Sequence, residues 1–343
     1  MSATLIIALC LISSLHPTAA QDGSCNANDP SQKSCHLSNE FKWKWDPTST
    51  SHPCTIHRIS QSTLLKSFGH LGLPNLYAYP LVIYPDDFDE QPSRSNRNAA
   101  FANSTTLDNL PKQFSSDFTV TLTGSDSLSS HRRSIPISQY LQETTSPGET
   151  LPDQLGNETW YLFGETFTPE WSQFLMNYEL PSCHACTELH RHQSLVALSF
   201  GVGNIGSGVQ WHLHGPGFSE TFHGRKHWVL YPPQFRPEYN LDYASRHWME
   251  NVYPHLEDWS EDEVETEKAK HKEYLTRWKT GTLNRANKAD VKDIGPSTKK
   301  PWECTIHEGE MIYFPDGWHH ATINLEKYTV FVSSFTSEHE SIL

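Results

Sequence analysis

The chain has 343 residues and sets 26 Lys and Arg against 40 Asp and Glu, a formal net charge of −14. An acidic balance with no basic stripe argues against a nucleic-acid partner, because sequence-independent affinity for phosphate backbones comes from clustered Lys and Arg. No stretch approaches the roughly 18 apolar residues of a membrane span. The length sets a soft prior near two domains, but long polar loops favour one catalytic-type domain with extensions.

Residues 1–20 contain no charged side chain, and the apolar run Leu5–Ile12 is followed by Pro17-Thr18-Ala19-Ala20. This is the pattern of a secretory signal peptide with small residues before the cut. A soluble protein of the secretory pathway is therefore expected. The sequons Asn103-Ser104-Thr105 and Asn157-Glu158-Thr159 suit that compartment. Of the seven cysteines, Cys10 leaves with the leader, so Cys25, Cys35, Cys54, Cys183, Cys186 and Cys304 remain as disulfide candidates. An oxidising lumen lets an even set pair fully, while sequence alone does not choose the connectivity.

Residues 21–53, rich in Ser, Asn, Asp and Pro, are expected to form a loose N-terminal arm, with order beginning at Cys54. A part spanning 54–193 then packs on a core at 194–343. In it Leu64–Phe68 suggests a short helix, Leu81–Tyr84 a strand, 86–103 a polar surface loop and Phe118–Leu122 a half-buried strand. Ile137–Leu141 starts an amphipathic helix and Trp160–Phe163 is a buried strand. Cys183-His184-Ala185-Cys186 with His190 and His192 offers a redox dithiol or a zinc site, but a local disulfide loop, or pairing with other cysteines, is the plainer account.

Ser194–Val202 has strand character, with Gly201, Gly203, Gly206 and Gly208 expected to form a flexible turn after it. Lys226–Tyr231 is a strand stopped by Pro232-Pro233. An insertion of about 242–300 carries a capping-box pattern, Ser260 with Glu263, before a solvated helix. Met311–Phe314, a turn at Asp316-Gly317, His320–Leu325 and Tyr328–Phe335 complete a series of short strands. Such a series points to a mostly β, antiparallel double sheet of jelly-roll or cupin type enclosing a ligand cavity.

Within it stands Trp211-His212-Leu213-His214. On an extended strand residues i and i+2 point the same way, so His212 and His214 can present two imidazoles to one side. A distant histidine such as His320 could close a metal site close to the two-histidine, one-carboxylate pattern of non-haem iron oxygenases, except that a histidine holds the carboxylate position.

Three motifs in order, His212-Leu213-His214-Gly215-Pro216-Gly217-Phe218-Ser219-Glu220, Gly224-Arg225-Lys226-His227-Trp228-Val229-Leu230-Tyr231-Pro232-Pro233, and Gly309-Glu310 through Asp316-Gly317-Trp318-His319-His320-Ala321-Thr322-Ile323-Asn324-Leu325, resemble a JmjC domain, in particular a lumenal member of that family. The resemblance implies a double-stranded β-helix with flanking helices and an iron and 2-oxoglutarate dependent oxygenase pocket acting on protein. It places the metal ligands at His212, His214 and His320, and a lysine for the far carboxylate of 2-oxoglutarate at Lys226. His319 replaces a commonly aromatic residue and should point away from the site.

Departures from the family pattern qualify that assignment. No helping hydroxyl is evident, because Val209 stands near its place. Three neutral imidazoles leave a divalent site at +2 instead of +1, which weakens charge compensation of the metal and strengthens the pull on a dianionic 2-oxo acid. Three histidines with an open position also suit zinc. Glu220 offers a further oxygen donor, though a solvated carboxylate is its ordinary state. A bridge between Cys54 and Cys304 would clamp the N-terminal arm to the sheet. The rival to a protein hydroxylase is a catalytically silent barrel serving as a protein-binding module. Residence in the endoplasmic reticulum follows from the resemblance alone, and secretion stays open.

Overall fold

The computed structural model describes residues 52–66, 79–86, 96–126, 131–145, 160–180 except 165, 196–233, 235–266, 269 and 297–336. The expected leader, most of the arm, Cys25, Cys35, Asn157 and the 183–192 Cys/His segment lie outside the described residues.

In chain order the strands are β1 (His57–Ser60), β2 (Leu81–Tyr84), β3 (Thr119–Gly124), β4 (Arg132–Pro136), β5 (Trp160–Tyr161), β6 (Val196–Gly203), β7 (Gly217–His223), β8 (Lys226–Tyr231), β9 (Trp302–Ile306), β10 (Met311–Phe314), β11 (His319–Asn324) and β12 (Thr329–Thr336). Helices α1 (Gln61–Lys66), α2 (Ala99–Ser104), α3 (Ile137–Thr145), α4 (Pro169–Leu175) and α5 (Ser245–Asn251) flank them. One sheet runs β1-β2-β10-β7-β12-β6, a second β11-β8-β9, and a third, smaller one β4-β3-β5. Every pairing is antiparallel except β1 with β2. The strand-rich, cupin-like architecture expected from the sequence is present, and β1 and β2 extend its large sheet at the β10 edge.

Period-two alternation decides what faces the interior. On β12, Val330 and Val332 join the outer cluster formed with Phe101, Trp171, Phe174 and Phe200, while Phe331, Ser333 and Phe335 line an inner cavity. On β8, Lys226 and Trp228 face that cavity, whereas Val229 and Tyr231 pack outward under α5 with Trp248 and Met249. The inner cluster at the other end, with Val82, Leu230, Ile306, Ile312 and Trp318, cements the two larger sheets. Cys304 belongs to it and is bridged to Cys54 across a separation of 250 residues. In the chain-entropy account, closing so long a loop stabilises by about 5.5 kcal/mol.

Several local expectations need correction. The stretch taken as loop to Asn103 holds α2, whose Phe101 and Ala102 are buried and whose side Asn98 anchors by donating to the Glu179 carbonyl at 2.9 Å. A Ser/Asn-rich composition hid a helix that tertiary burial stabilises. Gly201 and Gly203 are not turn residues but lie inside β6. A Cβ on Gly201 would stand 2.1 Å from the Phe331 ring, so the glycine makes room for that ring. Strands β7 and β9 escaped notice because both faces are covered: all seven residues of β7 are buried, which erases alternation. The capping box is formed, with the Ser260 amide donating to Glu263 Oε2 at 2.8 Å and the Glu263 amide to Ser260 Oγ at 3.3 Å.

Gly208 is the tightest backbone approach, since a Cβ there would meet the Thr322 carbonyl oxygen at 1.9 Å. Gly208→Ala must therefore push the 207–212 segment off β11. Overpacking of this kind costs about 1–3 kcal/mol, and the expected result is a lower midpoint in urea together with weaker metal binding. An unchanged midpoint would contradict the close packing.

Candidate metal centre

The two near histidines do not sit on a regular strand as expected. His212 makes a single antiparallel bridge to His320, with reciprocal amide–carbonyl bonds of 3.0 and 2.9 Å, and the chain turns away at His214. Alternation nevertheless survives over three residues. Leu213 is exposed while its neighbours point inward. The bridge fixes His212 directly opposite His320, and β11 alternation turns His320 and Thr322 toward the cavity. His319 is not among the residues lining it, as expected.

The three imidazoles converge: one ring nitrogen from each lies within 4.8 Å of the other two. Among the described residues this is the one group of three or more His, Cys, Asp or Glu side chains so arranged. Each ring also contacts a backbone carbonyl through Nδ1: His212 with Gln210 at 2.8 Å, His214 with Gly215 at 2.8 Å, His320 with Trp318 at 2.9 Å. A carbonyl only accepts, so each Nδ1 carries the hydrogen and each Nε2 keeps its lone pair. That is the outer-shell arrangement that fixes tautomer and orientation in histidine-ligated metal sites. Bonds of about 2.1 Å to imidazole put ligand nitrogens roughly 3–3.5 Å apart, within small rotamer adjustments of this arrangement. The donor set fits a divalent transition metal.

Electrostatics point the same way. Burial pushes the His212 imidazole down to about 4, with Lys226 adding to the effect. His320 is held well below the ordinary range by burial first and then by its histidine neighbours. Neutral imidazoles at physiological pH are the ligating form. Among the described residues no carboxylate lines the cavity. Glu220 is not in the histidine cluster and is not solvated: it is buried, accepting from Arg97 Nη2 at 2.7 Å, Asn98 Nδ2 at 3.2 Å and Tyr178 Oη at 3.1 Å.

Lys226 forms the far end of the cavity and is 1% exposed, not a surface lysine. Its Nζ donates to Tyr161 Oη at 3.1 Å and stands 3.6 Å from the centroid of the Phe331 ring. Thr322 and Ser333 add hydroxyls to the lining. The polar partner that the sequence did not reveal is thus Tyr161, from a segment 51 positions before His212. Its signal was a hydroxyl within the otherwise apolar run Trp160–Phe163, a run that reads as core. Phe314 and Phe335 wall the histidines, with the His214 ring 4.5 Å from Phe335 and 5.2 Å from Phe314. The Trp228 ring lies over His320 at 5.6 Å.

Asn103, in the last turn of α2, is exposed.

A family model for the cupin-like domain matches residues 217–340. The chain is 32% identical to mouse JmjC domain-containing protein 8 over 282 residues, covering 82% of each chain. It is also 32% identical to the human protein of that name over 219 residues, 64% of this chain and 65% of the relative, just under two thirds of its length. An Arabidopsis thaliana protein named lysine-specific demethylase JMJ21 is 24% identical over 333 residues, 87% of this chain but 31% of that one. Strand topology, a three-histidine cavity and these likenesses agree, and the chain belongs to the JmjC domain-containing family with a cupin-like fold.

Proposed function

We propose that the protein is a lumenal JmjC hydroxylase that uses iron and 2-oxoglutarate with an all-histidine metal site and acts on a protein side chain. The observation that carries this reading is the convergence of three imidazoles whose Nδ1 atoms each meet a backbone carbonyl, leaving Nε2 as the ligating nitrogen. His212, His214 and His320 would hold the metal. Iron bound there supplies a Lewis-acidic, redox-active centre with positions left for the 2-oxo acid and oxygen.

The remaining work belongs to the chain. Lys226 and Tyr161 recognise the distal carboxylate by a charge-assisted and a neutral hydrogen bond. Phe331, Phe335, Phe314 and Trp228 keep water from the cavity and raise the strength of every polar contact inside it. The carbonyls of Gln210, Gly215 and Trp318 hold the ring planes. The name of the demethylase relative supports a protein side chain as substrate. The leader-like N terminus, the exposed Asn103 sequon and the Cys54–Cys304 bridge support a lumenal setting, with the endoplasmic reticulum preferred to secretion.

One observation favours the second reading, a silent barrel acting as a protein-binding module: His214 stands where the family carries a carboxylate, so a divalent ion gains no charge compensation. Anaerobic loading with Fe(II), followed by oxygen and assay of succinate, separates the two. The expected result is metal binding and succinate from the native protein, with His320→Ala losing at least about a hundredfold in metal affinity. Metal binding without succinate supports the module. Equal metal binding by both proteins removes the metal site itself.

A further inference from the structure

A second, small recess open to solvent adjoins the Cys54–Cys304 bridge. Both cysteines line it together with four basic side chains, His52, Arg58, Arg225 and His307, and among the described residues no carboxylate does. The acids that pair with the arginines stand outside the lining, Glu310 with Arg58 and Glu326 with Arg225 at 2.6 Å. His307 registers the resulting field: burial first, then Arg58 and Arg225, hold its imidazole below the ordinary range, against the pull of Glu326.

The two halves of the bridge are unequal. Cys54 is exposed, whereas Cys304 is 1% exposed. Arg58 Nη1 stands 3.9 Å from Cys304 Sγ. Thiol–disulfide exchange needs a reachable sulfur to attack and goes faster when the departing sulfur is stabilised as a thiolate. Here the reachable sulfur and the cation-supported leaving sulfur are on opposite sides of one bond, next to a cavity lined by basic groups.

We propose that this cavity binds a small anionic thiol, of the class of carboxylate-bearing cysteine peptides, and that the thiol exchanges with the bridge at Cys54. The incoming thiolate forms a bond to Cys54 Sγ, the Cys54–Cys304 bond breaks, and its electron pair leaves on Cys304 Sγ as a thiolate beside Arg58. One disulfide replaces another, so no external oxidant enters. The reverse attack by Cys304 restores the bridge and releases the thiol.

The test uses the full chain with reduced glutathione, neutral 2-mercaptoethanol and cationic cysteamine at matched thiolate concentrations, with alkylation quenching and peptide mass mapping. The adduct is expected on Cys54 with Cys304 alkylated, and glutathione should react about tenfold faster per thiolate than cysteamine through attraction to the basic lining. High salt should compress that ratio. Arg225→Gln should compress it as well, and Glu326, the partner it leaves behind, is 44% exposed. A cysteamine rate equal to or above that of glutathione, an adduct on Cys304, or a ratio indifferent to salt would each overturn the proposal.

Discussion

Replacing Lys226 by Met is expected to raise the melting temperature of the ligand-free protein and to abolish its stabilisation by 2-oxoglutarate. The ammonium is fully enclosed, with Tyr161 Oη at 3.1 Å, Asn324 Oδ1 at 3.5 Å and an aromatic face as its neighbours. Among the described residues no carboxylate pairs with it, and burial holds its pKa well below the ordinary lysine value. The unfolded chain, with a lysine near 10.4, therefore binds the proton more readily than the folded one. Stability is reduced below the depressed pKa and recovers as pH rises from there toward about 10.4.

Met keeps the apolar length and removes the buried polar head, a gain of about 1–3 kcal/mol, or a few degrees in a domain of this size. Melting curves from neutral to alkaline pH should show the native protein closing the gap on the variant as pH rises. At a hundredfold excess over Kd a ligand stabilises by about 2.7 kcal/mol, and 2-oxoglutarate should provide this to the native protein alone. A Met variant that melts lower, or that keeps the ligand shift, would show that Lys226 is structural.

This opposition between stability and ligand recognition explains which parts of the site were legible in the sequence. His212, His214 and His320 could be read because local spacing and a strand-type motif around each carry the information: alternation alone sends His320 inward and His319 elsewhere. Lys226 was legible as a motif position, but its burial was not, since a lysine after Gly224-Arg225 reads equally as surface. Tyr161 and the Arg97–Glu220 pair were invisible for a different reason. They join segments 65 and 123 positions apart, and nothing local distinguishes a tyrosine in an apolar run from ordinary core or a glutamate in a fully covered strand from a solvated one. The fold class was legible from short strands with Gly and Pro turns. Sheet order was not, because β2 joins β10 across more than 200 residues, a pairing that only tertiary packing selects.

Exchanging His214 for Asp is expected to tighten Fe(II) binding at least tenfold and, where the native substitution is what silences the site, to create 2-oxoglutarate turnover. The carboxylate lowers the formal charge of a divalent site from +2 to +1. Unit charges 4 Å apart attract by about 4 kcal/mol at an effective dielectric near 20, and a ligating oxygen lies closer than that. Desolvation of the new anion in this enclosed, largely aromatic lining takes back part of this gain.

The exchange has a structural cost as well. The His214 ring packs against Phe335 and Phe314, and the shorter Asp abandons those faces, so the metal-free variant should lose about 1–3 kcal/mol of stability, in the range of large-to-small changes. Metal should then stabilise the variant more than the native protein. Calorimetric titration with Fe(II) and Zn(II) under argon, alongside thermal melts with and without metal, reads both quantities. Unaltered Fe(II) affinity would mean that position 214 does not touch the ion, and the centre would reduce to the facing pair His212 and His320.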